Sequence, residues 1–263
     1  MSGNENMLSV REILHFLPED VVAEQFFLHT TIDSTSTAAK KMVGAGAKHG
    51  TVIMAEHQTA GRGRYGRSFH SPGARGIYMS MILDPAQLGL NLLTLVTAFA
   101  GVAVCEAIEA VCAKSPGIKW VNDVFLDEKK ICGILTEAVG EWLVLGIGIN
   151  FSASETDFPE ELRQIAGAIY PGGNTPVGRN RLTAEVIGRI LVGPQSSEEL
   201  LHKYRQRLNM LGRVVLVIGA DQPYEAIALD IDNFGRLIVR KETGETLCVG
   251  SGEVSIRGIW PRG

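Results

Sequence analysis

The stretch Gly61-Arg62-Gly63-Arg64-Tyr65-Gly66-Arg67 alternates three glycines with three arginines. Glycine lets backbone N–H groups come close to a ligand, and arginine carries a permanently charged planar fork matched to phosphate or carboxylate oxygens. The segment therefore reads as a mobile loop built to close over a polyanion, with a solvated basic surface loop as the plainer reading. Two phosphate-binding patterns overlap it. Gly61, Gly63 and Gly66 fit G-x-G-x-x-G, and Gly61 to Ser68 approach G-x-x-x-x-G-K-S with Arg67 in place of lysine. Both patterns need a helix to begin at the loop, so that its N-terminal dipole meets the phosphate. The chain continues instead as Arg67-Ser68-Phe69-His70-Ser71-Pro72-Gly73, and a Pro-Gly pair opposes a helix there.

Outward from the loop, Thr51–Glu56 and Gly76–Leu83 read as strands, the first running straight into it. Phe26–Thr30 reads as another strand, followed by a helix that Asp33 or Ser34 caps and that runs to about Ala47. Further strands are expected at Ile118–Trp120, Val124–Asp127, Ile131–Ala138 and Trp142–Ile149, with helices at Leu182–Leu191 and Ser197–Leu211. The order is not a regular βα alternation, so an α+β layer is predicted rather than a doubly wound sheet. After Gly212 come closely spaced short strands and turns (Val214–Ile218, Tyr224–Ile231, Leu237–Arg240, Leu247–Val249), the pattern of a small all-β barrel. This divides the chain into a domain of residues 1–211 and one of residues 212–263.

Composition narrows the class. The 263 residues are 45% hydrophobic and 21% charged, as in a soluble globular protein. A net charge of -4 makes the arginine cluster a local device rather than part of a basic face. Four cysteines form no C-x-x-C pair, so a reducing cytoplasm is expected. Residues 1–14 lack the long apolar core of a secretory signal. Pro85 to Cys105 carries no charge and is long enough to span a membrane, but acidic flanks and internal polar residues favour a buried core helix.

Four other segments carry chemistry. Asp33-Ser34-Thr35-Ser36 offers hydroxyls that either cap a helix or meet a small polar ligand. Gln58 can donate and accept at once. Lys119-Trp120-Val121-Asn122-Asp123 sets a cation, an amide and a carboxylate between two strands. Lys130-Ile131-Cys132-Gly133-Ile134-Leu135 and Gly146-Ile147-Gly148-Ile149-Asn150 are strands interrupted by glycine, a mark of close approach by a ligand or another backbone.

Taken in order with Gln58-Thr59-Ala60 and Ser71-Pro72, these segments resemble the biotin–protein ligases. The tail Gly250-Ser251-Gly252-Glu253-Val254-Ser255-Ile256-Arg257 is similar to that family's C-terminal barrel of the Src-homology-3 kind. The resemblance covers about residues 26–260. It implies a mixed sheet with helices packed on it, like that of class II aminoacyl-tRNA synthetases, and the ligase-only form without a DNA-binding domain. It implies activation of biotin by ATP as biotinyl-5′-AMP, with Mg²⁺, then transfer to a lysine of a biotin carboxyl carrier protein. No DNA or membrane partner is expected, and a homodimer is compatible with the family.

By the same resemblance Arg64 and Lys130 are the catalytic pair. Ser34, Thr35, Ser36, Gln58, Gly61, Arg62, Gly63, Arg64, Lys130 and Gly133 would hold biotin, Gly133 by letting its acyl chain lie along the strand. Arg62, Arg67, Phe69, Lys119, Asn122, Lys130 and Asn150 would hold the adenylate, with Phe69 near the adenine. The metal ligands stay unassigned. Three positions depart from the family pattern: Ser36 where asparagine is common, Phe69 where tryptophan often stands, and Val121 where proline is usual. Val121 predicts a more flexible turn before Asn122. A lipoate–protein ligase and a non-catalytic nucleotide- or RNA-binding module are the competing readings.

Overall fold

Alternation and capping produce the elements in chain order. A computed structural model describes residues 7–90, 92–218 and 222–250 and the backbone of 255–258. Helix α1 (Val10–His15) starts at Ser9, whose Oγ accepts from Glu12 N. Strand β1 (Phe26–Ile32) leads to α2 (Thr35–Gly44), capped by Ser34 through a bond from Thr37 N. β2 (Thr51–Gln58) and β3 (Gly76–Leu83) flank the Gly/Arg segment. The uncharged run is broken in two. Asp84 caps the short α3 (Pro85–Leu88), Gly89 ends it at φ 63, and α4 (Leu93–Cys112) follows. Then come β4 (Gly117–Lys119), β5 (Asp123–Leu126), β6 (Lys129–Val139), β7 (Trp142–Asn150), α5 (Arg179–Val192) and α6 (Ser197–Arg207). The C-terminal strands are β8 (Val214–Ile218), β9 (Tyr224–Ile231), β10 (Leu237–Arg240), β11 (Thr246–Val249) and β12 (Ser255–Gly258).

Seven strands form one mixed sheet in the order β1-β2-β3-β7-β6-β5-β4, with β1 and β2 parallel and the other neighbours antiparallel. Register decides its two faces. The row Met54–Met79–Ile147–Ile134 points to one side, where α4, α5 and α6 cover it in the main core. Helix α4 is long and apolar enough to cross a membrane, yet it is mostly buried inside this core. On the other side Ile53, Ile82 and Val144 pack under Ala39 of α2, which shields only part of the sheet. The remainder of that face stays open.

The last five strands make a separate antiparallel sheet, β11-β10-β9-β8-β12, as expected for a small C-terminal β domain. Residues 251–254 of the tail match and the turn at Gly219 lie outside the described residues. The sheets are tied by Trp120 Nε1, which donates to the Gly235 carbonyl at 2.9 Å, and by Arg205, which pairs with Asp230 and donates to the Ile231 carbonyl at 3.0 Å.

Glu56 and Arg179 form a buried ion pair that locks the N-terminal segment to the sheet. Arg179 donates to both Glu56 oxygens at 3.0 and 3.2 Å and to the Gly76 carbonyl at 2.8 Å, and Leu8 N donates to Glu56 at 2.6 Å. The Arg179 side chain is fully buried. Removing one partner leaves an uncompensated charge in the interior, a cost of about 3–5 kcal/mol. Arg179→Met should therefore lower unfolding free energy in urea by about that amount at neutral pH; a loss below about 1 kcal/mol would refute this role.

Candidate functional site

On the open face of the sheet, two side-by-side rows are interrupted by glycine. Tyr78, Gly148 and Gly133 form one, and Ser80, Gly146 and Leu135 the next. The sheet is thus hollowed between α2 and β5, and a cavity of about 920 Å³ lies over the hollow. That is within the usual range for small-molecule sites. Every residue assigned to biotin or the adenylate lines this cavity except Gly61, which is buried. A Cβ at Gly61 would stand 2.4 Å from the Phe69 carbonyl oxygen.

The inner end is polar. Gln58 Oε1 accepts from Thr35 N at 2.9 Å and from Thr35 Oγ1 at 3.1 Å, while Gln58 Nε2 donates to Ser71 Oγ at 2.9 Å. Thr35 Oγ1 also lies 2.9 Å from Ser80 Oγ. Thr35 and Gln58 thus hold each other, and one Gln58 N–H remains beyond these bonds for a ligand.

The Gly/Arg segment folds as a tight hairpin. Gly63 N donates to the Arg67 carbonyl at 2.7 Å and Phe69 N to the Gly61 carbonyl at 2.8 Å. Its tip is a single 3-10 turn, Arg64–Gly66, in which Tyr65 has φ 57. No helix begins there, so neither phosphate-binding pattern is realised. Its side chains reach across to the sheet. Arg64 donates to Asn122 Oδ1 at 2.9 Å and to the Tyr65 hydroxyl at 2.8 Å. Asn122 Nδ2 donates to Asp123 Oδ1 at 3.0 Å, and Lys130 Nζ lies 2.7 Å from the same oxygen. A continuous polar chain therefore links Arg64 on the flap to Lys130 on β6. Lys119 Nζ sits 5.8 Å from the centre of the Phe125 ring. Asn150 anchors the segment after β7 by donating to the Gly167 carbonyl at 2.9 Å, and its Oδ1 is buried with no hydrogen-bond donor among the described residues.

One expectation changes, and Gly133 has close neighbours of its own. The open side of Gly133 is occupied: a Cβ there would meet Phe69 Cε2 at 3.0 Å and Lys130 Nζ at 3.3 Å, and one on Gly148 would meet the Phe69 ring at 2.5 Å. These glycines make room first for Phe69, which lies against them edge-on to Tyr78 at 6.3 Å between centres. The turn at Val121 is also held rather than loose. Val121 is buried, and its carbonyl accepts from the buried Tyr204 hydroxyl at 2.9 Å. Cys132 is inert packing, its thiol pushed well above the usual range by burial.

Sequence reading missed Glu137, on the same face of β6 as Gly133 and Leu135. Counting by twos along the strand would have placed it there. It accepts from Ser36 Oγ at 2.8 Å and Lys40 Nζ at 2.6 Å, and Arg62 lies 4.0 Å away. Burial raises its pKa, but the hydrogen bonds from Lys40 and Ser36 and the charges of Lys40 and Arg62 outweigh that and hold it below the usual carboxylate range. Asn209 and Arg213, leading into β8, also line the cavity.

The chain belongs to the biotin/lipoate A/B protein ligase family: residues 28–152 match that family's model, and residues 210–257 match the biotin protein ligase C-terminal domain. It is a ligase with the α+β fold of that group. The bifunctional ligase/repressor BirA of Bacillus spizizenii is 33% identical over 90% of this chain and 76% of its own. The biotin–[acetyl-CoA-carboxylase] ligase of Mycobacterium tuberculosis is 33% identical over 78% of each chain. A structure of biotin protein ligase from Aquifex aeolicus in complex with biotin and ATP superposes with a TM-score of 0.79 at 29% identity, covering 89% of this chain and 98% of that one.

Close packing of Phe69 on Gly148 is testable without ligand. Gly148→Ala should destabilise the fold by about 1–3 kcal/mol through overpacking. Phe69→Ala in the same chain should recover most of that loss in a double-mutant cycle, and simple additivity would exclude the contact.

Proposed function

We propose that this chain is an ATP-dependent biotin–protein ligase. The biotin carboxylate attacks the α-phosphorus of ATP, forming biotinyl-5′-AMP and expelling pyrophosphate. A lysine ε-amino group of a biotin carboxyl carrier protein or domain then attacks the acyl carbon, and AMP leaves. The observation that carries this reading is one cavity with a polar inner end, a side-chain-poor floor and a cationic flap. Biotin has the same succession of a polar ureido ring, an apolar chain and a carboxylate.

Repulsion between a carboxylate and a triphosphate is the first obstacle to such a reaction. Arg62, Arg64, Arg67, Lys119 and Lys130 all line the cavity and offer the offsetting charge. Lys130 is positioned for the developing acyl-phosphate charge, with Asp123 holding its ammonium until an anion competes for it. Arg62 and Arg64 act as the clamp on biotin and adenylate, and Ser34, Thr35, Ser36 and Gln58 meet the ureido ring. The Gly133 strand bounds the acyl chain, while Arg67, Phe69, Lys119, Asn122 and Asn150 meet the nucleotide. No side chain need act as a covalent nucleophile, because the substrate supplies the carboxylate; positioning and electrostatics carry the rate. Mg²⁺ would enter on the phosphates and shield their charge. Asn150 Oδ1, without a donor among the described residues, is a neutral oxygen of the type this ion accepts. Four free cysteines support a cytoplasmic setting.

The decisive experiment is pyrophosphate release with ATP, Mg²⁺ and biotin, with lipoate in a parallel arm. Biotin-dependent release is expected; release with lipoate alone, or none at all, overturns the reading. Lys130→Ala should cut that release by about 10²–10³-fold while calorimetry still shows biotin binding. Arg64→Ala should open the flap and shed biotinyl-AMP, labelling lysines of a bystander protein that the parent leaves unmodified. Equal retention of the intermediate by parent and variant would rule this out.

A further inference from the structure

The protons at the inner end of the cavity can be assigned bond by bond. Ser36 stands at the start of α2, and it lines the cavity although its residue is buried. A hydroxyl has one proton and two lone pairs. The Ser36 Oγ donates that proton to Glu137 Oε2 at 2.8 Å. The other carboxylate oxygen, Oε1, receives Lys40 Nζ at 2.6 Å and faces Arg62 at 4.0 Å. Glu137 has thus divided its two oxygens, one for a neutral donor and one for cations. It is not itself part of the cavity wall, so it can act on a ligand only through Ser36 and Arg62.

We propose that Glu137 is a positioning residue that sets the hydrogen-bond polarity of the site: by taking the Ser36 proton it leaves that hydroxyl only lone pairs to present, so the cavity selects a ring carrying N–H donors. This rests on the biotin reading and adds to it the source of discrimination against rings without N–H groups. The inner end then offers a complementary pair. Gln58 supplies an N–H for a ring carbonyl, and Ser36 supplies an acceptor for a ring N–H. A ring lacking N–H would leave the Ser36 lone pairs buried and unsatisfied, and that penalty is the strongest form of polar selectivity available to a closed site.

The test uses the full chain and calorimetric titration with two ligands, biotin and a derivative methylated at its ring nitrogens. Glu137→Gln keeps the shape but can hand its own N–H to Ser36, which frees the serine proton to point into the cavity. Biotin affinity should fall about tenfold and the methylated derivative should change by less than about twofold, the scale of one hydrogen bond. Ser36→Ala should cost biotin the same, and the double variant should lose no more than either single change. In turnover, Glu137→Gln should raise the biotin KM and leave kcat nearly unchanged. Lys40→Met removes a partner of Glu137 but not the Ser36 bond, so it should keep the discrimination between the two ligands. Equal losses for both ligands, additive single effects, or loss of discrimination in Lys40→Met would overturn the inference. Should Glu137→Gln not fold, Ser36→Ala decides alone, since it must abolish the discrimination. Failure of the parent chain to bind biotin at all would instead strike the biotin reading itself.

Discussion

A strip of sheet without side chains underlies the whole site. Gly133, Gly146 and Gly148 lie in adjacent register positions on β6 and β7, facing away from the main core. Ordinary side chains there would fill the space between α2 and β5 and leave a solid two-layer fold. Their absence permits Phe69 to descend onto the sheet and a small molecule to lie between flap and strand. The other face of the same strands is densely apolar, with Ile134, Ile147 and Ile149 buried beneath α4. One strand pair thus provides both rigidity and a hollow, because alternation separates the two jobs by side.

The charge arrangement follows from the hollow. A cluster of arginines and lysines around a cavity is self-repelling, and the chain balances it internally. Lys130 leans on Asp123, Arg64 on the adjacent Asn122, and Lys40 on Glu137 of β6. Such contacts are modest in solvent-exposed settings and are open to replacement by a stronger anion. An incoming carboxylate or phosphate meets cations already aimed inward rather than ones that must be gathered. The same contacts couple flap to sheet, since Asn122 ends the turn at which Asp123 begins β5.

That turn depends on elements far along the chain. Tyr204 on α6 holds the Val121 carbonyl, and the neighbouring Trp120 donates to Gly235 in the C-terminal sheet. The C-terminal strands are therefore tied through one buried indole to the segment that bears Asn122 and Asp123. Their approach also brings Asn209 and Arg213 to the mouth of the cavity.

Much of this was legible before folding was considered. Period-two apolar strands, the Ser34 cap, the uncharged helix, the punctuated C-terminal strands and the Gly/Arg loop are local patterns, and local patterns survive in the chain order of residues. The resemblance drawn from their sequence also picked out positions that do converge on one cavity. Two short helices, α1 and α3, escaped notice, being too brief for a periodicity to show. What the sequence determined by itself was the list of elements and the chemical character of the loop. Tertiary structure alone decided that Phe69 rests on Gly148, that Tyr204 steadies Val121, and that Glu137 commands the proton of Ser36. These pairs are separated by 79, 83 and 101 positions, and only the register of the sheet and the packing of α2 and α6 upon it bring their atoms within a few ångströms.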